Sequence, residues 1–167
     1  MSYILSTNRN TDDIAQFVKN WEDYKSHLLA LGDRFPPSAY ALACSDWWYS
    51  FTSPEAPHDS RLLGFGLGDH GAGTYEDMMG TWIEIKLQAA HGGNILIRYQ
   101  NVHHYALQSN RSSRGLHGDW RYDEFTLTTD GRVKHTIEWA EGAVWIIEAE
   151  DVEHFFTPES SAPREKG

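Results

Sequence analysis

The residues of this chain that could do chemistry are nine histidines, a C-terminal run of carboxylates and one cysteine. A metal would need histidine and acidic ligands at set spacings, and the nearest groupings are His103-His104, His58-Asp59 and His117 with Asp119. None of these has a metal-ligand spacing. Adjacent strand residues point to opposite faces, so His103 and His104 cannot reach one ion from a regular strand. Glu138, Glu141, Glu148, Glu150, Asp151 and Glu153 crowd a segment with no Lys or Arg from Trp139 through Thr157. Paired carboxylates can act as general acid and base, but the chemistry depends on a separation in space that sequence proximity does not set. The same residues, Glu148, Glu150, Asp151 and Glu153 above all, also form a negative rim able to steer a basic partner. As plain solvated charges they would simply discourage strand addition. Cys44, in Ala-Leu-Ala-Cys, reads as a small buried hydrophobe rather than a nucleophile. Gly64-Phe65-Gly66-Leu67-Gly68 lacks the helix that a nucleotide-binding glycine motif must open. These residues predict no catalytic group, no metal and no cofactor.

A second group, Asp46-Trp47-Trp48-Tyr49, has the composition of a binding hot spot. The segment from Ser38 to Phe51 reads in two ways: as a core strand under a helix, or as a loop that exposes these aromatic anchors.

The elements that must position both groups follow from hydrophobic period. Asn10 or Thr11 caps a helix with Asp12 and Asp13 in its first turn, and Ile14, Phe17, Val18, Trp21, Tyr24 and Leu28 recur at helical spacing to an end near Gly32. Strands are expected at Arg61–Gly68, Thr81–Ala90 and Asn94–Val102, the last two as a hairpin, with long connections at Asp69–Gly80 and Asn110–Gly118. The segment Asp119–Phe156 reads as a three-stranded antiparallel meander. A three-residue loop with Gly131 in the left-handed region sets Leu127 opposite Val133 and Phe125 opposite His135, which keeps apolar residues together. A two-residue Glu141-Gly142 loop would set Trp139 opposite Val144, Ile137 opposite Ile146 and His135 opposite Glu148. The run Val144 to Ile147 predicts a strand covered on both faces.

The expected fold is therefore α+β: an N-terminal amphipathic helix packed on a curved, mainly antiparallel sheet of six to seven strands, ending in a meander. With 167 residues the chain suits one domain, 1–156, followed by a disordered polar tail, 157–167. The formal charge of −10 argues against a nucleic-acid partner and suits a basic protein partner. A single cysteine, no apolar run of spanning length and no basic-then-apolar N-terminus predict a cytoplasmic protein without a membrane partner.

His58-Asp59-Ser60-Arg61-Leu62, the alternating segment Trp82 to Leu87 and Ile95 to Val102 together resemble small bacterial β-rich families that include immunity proteins of polymorphic-toxin systems. The resemblance covers about a third of the chain, and Tyr122 to Val152 is similar in style. It implies a non-enzymatic inhibitor that binds and blocks one cognate toxin, expected to be basic. The candidate contacts are Asp46, Trp47, Trp48 and Tyr49 as anchors and Glu148, Glu150, Asp151 and Glu153 as the rim. The alternative is a small-molecule pocket or hydrolase-like site in the sheet, lined by tryptophans and by His135.

Overall fold

Among the described residues, alternating sequence becomes eight strands in two antiparallel sheets. The computed structural model describes residues 2–5, 14–69, 80–109 and 117–159. Helix α1 (Ile14–Leu31) and short helix α2 (Pro37–Ala43) precede β1 (Arg61–Asp69), β2 (Thr81–Gln88), β3 (Asn94–Gln100) and β4 (His104–Leu107). Strands β5 (Trp120–Leu127), β6 (Val133–Trp139), β7 (Val144–Ala149) and β8 (Asp151–Thr157) complete the fold. One sheet has the order β1-β2-β3-β8 and the other β4-β7-β6-β5. The α+β class is as expected, with two four-stranded sheets in place of one curved sheet.

The chain changes sheets after β7. The Glu150 N–H donates to the Gln100 carbonyl (3.0 Å), and β8 then pairs along β3 from Val152↔Tyr99 to Phe156↔Ile95. The meander is thus β5-β6-β7, and its expected last residues belong to the opposite sheet. Strand β8 also runs to Thr157, one residue past the expected domain boundary.

The first meander register is the expected one, with Leu127↔Val133 and Phe125↔His135, and Gly131 sits at φ 88°. The second is one residue away from expectation: Ile137 faces Trp145 and His135 faces Ile147. Residues 140–142 form a three-residue loop, with Gly142 at φ 88° and the Trp139 N–H bonded to the Ala143 carbonyl. That register turns Trp145 and Ile147 inward beside His135 and Ile137, whereas the two-residue loop would have turned Glu148 inward. Strand β7 accordingly alternates, with Trp145, Ile147 and Ala149 buried and Val144, Ile146 and Glu148 half-buried.

Ile83, Ile85, Leu87, Ile95, Ile97, Tyr99 and Val152 of one sheet meet Val133, Ile137, Trp139, Trp145 and Ile147 of the other in one core. Each large side chain so buried contributes about 1.5–3 kcal/mol before entropy is counted. Helix α1 adds Tyr24 and Leu28 to that core and ends at Leu31, close to the expected stop.

Ser38 to Phe51 forms neither a core strand nor an open loop. Pro36 and Pro37 start α2 with proline at the first helical position, where its missing N–H costs nothing. The Asp151 carboxylate accepts from the amides of Ala39 (2.8 Å) and Ser38 (3.2 Å), capping the helix from 112 residues away. No local sequence pattern carries that cap. The expected helix cap at Asn10 or Thr11, most of the connections at 69–80 and 110–118, and the tail from 160 lie outside the described residues.

The four sheet edges are treated differently. On β5 the Tyr24 hydroxyl donates to the Phe125 carbonyl (3.0 Å) and accepts from the Phe125 N–H (2.9 Å), replacing a neighbouring strand. On β8, α2 packs alongside and His154 Nε2 donates to the Glu55 carbonyl (3.0 Å). Strand β4 has only four residues. Strand β1 has nine, and among the described residues its outer side meets only a single bridge, Arg61 to Asp119.

Candidate binding site

Adjacent carboxylates in a strand must face opposite ways, and in β5 the residues Asp123 and Glu124 are both buried. Each therefore needs partners on its own side. Glu124 Oε2 accepts from the amides of Tyr3 (2.8 Å), Ile4 (2.7 Å) and Leu5 (3.2 Å), tying the N-terminal segment to the outer face of its sheet. Asp123 turns inward. Its Oδ2 accepts from Trp48 Nε1 (2.8 Å) and His135 Nε2 (2.9 Å), and its Oδ1 accepts from Trp120 Nε1 (3.0 Å). The chain continues from His135 Nδ1 to the Tyr99 hydroxyl at 2.7 Å. With the proton on Nε2, His135 donates to Asp123 and accepts from Tyr99, and every member is satisfied. Burial holds the Tyr99 hydroxyl well above the ordinary tyrosine range, so it stays the donor.

This Asp-His-Tyr chain has the composition of a proton relay, but His135 and Tyr99 have no exposed surface. Nothing from solvent reaches either group, and Asp123 is occupied by three N–H donors. Its work is structural: it fixes the orientation of two indoles and one imidazole in an otherwise apolar core.

The same Trp48 and Asp123 form part of the wall of a cavity of about 220 Å³. Trp21 of α1, Tyr49 and Phe51 of the turn after α2, and Tyr122 of β5 also line it, with Ile4, Asp46, His58 and Arg121. Trp21 meets Tyr49 edge-on at 4.5 Å, and the Tyr49 hydroxyl lies 3.2 Å from that of Tyr24. Burial raises the ionisation of both tyrosines well above its usual range. His58 rests edge-on against Phe51 at 4.3 Å, and its Nδ1 lies 3.1 Å from Asp59 Oδ2, out of line for a hydrogen bond. Two rings of the cavity already attract cations of the chain: Lys25 Nζ lies 5.7 Å from the Trp21 ring and the Arg121 guanidinium 5.8 Å from that of Tyr122.

The structure separates the expected anchors. Asp46 is exposed and Tyr49 half-buried, both lining the cavity, while Trp48 is fully buried beneath it. Trp47 is half-buried and packs on His154 at 4.9 Å. The expected carboxylate rim is divided between the sheets. Glu148 lies on β7, 3.6 Å from Lys134, and Glu150 accepts from Asn101 Nδ2 (2.6 Å) between strands. Asp151 caps α2, and Glu153 stands opposite Arg98 on β8.

Sequence reasoning passed over Trp21, Phe51, Tyr122 and Asp123 as site residues. The signal for Asp123 was available: in Tyr-Asp-Glu-Phe, one of two neighbouring carboxylates has to face a strand's apolar side. Phe51 and Trp21 carried no such signal, because only the tertiary fold brings them together.

The cavity can hold a flat or cationic group against aromatic faces with Asp46 beside it. Among the described residues no cluster of His, Cys, Asp and Glu has the form of a metal site, and no helix is long and apolar enough to cross a membrane. Comparison with family models, with curated proteins and with solved structures finds no match.

Proposed function

We propose that the chain is a non-enzymatic, immunity-type protein that binds and neutralises a cognate basic toxin domain. The observation that carries this is the cavity beside Asp46: aromatic rings with a carboxylate suit a lysine or arginine side chain from a partner. The net charge of −10 would speed and orient the approach of a basic surface. Inhibition then requires only occlusion of the toxin's active surface, over about 1,600 Å² of total buried area. The residues assigned to contact are Asp46, Tyr49 and Phe51, with Trp47 and Glu153 as peripheral groups. Trp48 and Asp151 support the site from within.

The test is a search for a basic toxin domain encoded beside this chain's gene, followed by calorimetric titration against it. Asp46→Asn combined with Phe51→Ala is expected to weaken binding at least tenfold, about 1.4 kcal/mol. Unchanged affinity in that double variant would remove the site, and absence of any binding to a neighbouring toxin would remove the function.

A second function class, a small-molecule pocket protein, is favoured by the same cavity, although about 220 Å³ is small beside ordinary ligand pockets of about 300–1,000 Å³. His135, the expected lining residue for that class, is sealed in the core.

A further inference from the structure

Strand β1 reads Arg-Leu-Leu-Gly-Phe-Gly-Leu-Gly-Asp, and it is nearly symmetric about Phe65 in residue type. Reversed, its apolar residues Leu63 and Leu67 exchange places, Gly64 exchanges with Gly66, and the arginine end meets the aspartate end. Leu63, Phe65 and Leu67 are 58%, 52% and 46% exposed, an apolar row on a strand whose outer side, among the described residues, meets only the bridge from Arg61 to Asp119. Toward its C-terminal end the opposite face of the strand is covered by its own chain: a Cβ would lie 3.1 Å from the Trp82 ring at Gly66 and 2.7 Å from it at Gly68, whereas the space at Gly64 is open. The other three edges are covered or short, as described above, and a long exposed apolar edge is a template for another strand.

We propose that β1 pairs antiparallel with β1 of a second copy, joining two four-stranded sheets into one of eight. Charge selects this occupant and orientation. Antiparallel pairing brings Arg61 of each copy near Asp69 of the other, whereas parallel pairing would set like charges together. It also brings Leu63 near Leu67 and Phe65 near its symmetry mate, covering the exposed row. The irregularity between Leu62 and Gly64 and the bridge from Arg61 to Asp119 confine main-chain pairing to the part of the strand centred on Phe65. The long arginine side chain still spans to the aspartate.

Sedimentation velocity on the full chain tests this across the micromolar range. The unsubstituted chain is expected to dimerise, and Phe65→Asp, which also removes an edge-on contact with Trp145 (5.7 Å), to be monomeric with an unchanged far-ultraviolet circular dichroism spectrum. Arg61→Asp alone and Asp69→Arg alone should each weaken the dimer about tenfold, because each places like charges at both ends. Mixing those two variants should restore a heterodimer, an outcome that damaged folding cannot produce. A chain that stays monomeric throughout overturns the proposal. So does a dimer that survives Phe65→Asp, or two charge variants that fail to associate with each other while each remains folded.

Discussion

His135 lies flat on Phe125, its direct partner across the β5–β6 pair, with ring centroids 4.0 Å apart and planes inclined by 19°. Trp48, Trp120 and Tyr99 surround the same imidazole at 5.7–6.2 Å. An imidazole enclosed in this way needs both nitrogens satisfied from within, and Asp123 and Tyr99 supply the partners. Asp123→Ala leaves three buried N–H donors unpaired and is expected to cost about 3–5 kcal/mol in urea unfolding. Tyr99→Phe removes one neutral bond and should cost about 1 kcal/mol beyond its small volume change. Similar losses from both variants would show that the carboxylate is not the hub.

The indoles offer an internal control. Trp48 and Trp120 donate to Asp123, whereas Trp139 Nε1 is buried with no hydrogen-bond partner among the described residues. Trp→Phe at 48 or 120 loses area and a charge-assisted bond, and is expected to cost about 3 kcal/mol. At 139 the same change also removes an unpaired donor, whose relief of about 1–3 kcal/mol offsets much of the lost packing. Thermal melts of the three variants should rank Trp139→Phe as the mildest.

Alkaline titration should single out three of the eight tyrosines. Burial raises Tyr24, Tyr49 and Tyr99 well above the ordinary range, so these three remain protonated in the native state. Their folded pKa exceeds the unfolded one; the stability they contribute is complete below about pH 10 and is lost as pH rises further. Tyrosinate absorbance is expected to show these three ionising only with unfolding. Ionisation of these three without unfolding would contradict the buried hydroxyl network.

Acid acts through a different residue. Burial lowers His154 below the usual histidine range, against a smaller opposing contribution from the Glu55 carbonyl. Because the folded pKa lies below the unfolded one, its contribution is present above about pH 6.5 and is lost as pH falls through the folded value. His154→Gln should flatten the fall in stability between about pH 7 and 5, compared in paired urea titrations. An unchanged slope would assign that fall to other groups.

Much of the strand content was legible because alternation is a local property: β2, β3, β5 and β6, and the register of Phe125 against His135, follow from it. The second meander register was not, since choosing between loop lengths required knowing that Trp145 rather than Glu148 had room inside. Helix α2 was missed for a related reason. Aromatic density in Ser38 to Phe51 resembles a strand, and the carboxylate that caps the helix arrives from Asp151. The site was legible in part: Asp46 and Tyr49 line the cavity, but the rings opposite them come from α1 and β5. The acidic run was visible as composition, yet the change of sheet after β7 scatters it.

Glu124 and Phe125 hold the beginning of the chain from very far along it: the amide of Ile4 is bonded across 120 residues and the hydroxyl of Tyr24 across 101. During synthesis these segments leave the ribosome about a hundred residues before the β5 groups that bond them. At about 5–20 residues per second, α1 waits on the order of 5–20 s with Tyr24 and Leu28 uncovered. Its residence in that state, and its exposure to chaperones, is thus set by when β5 emerges rather than by its own helical propensity.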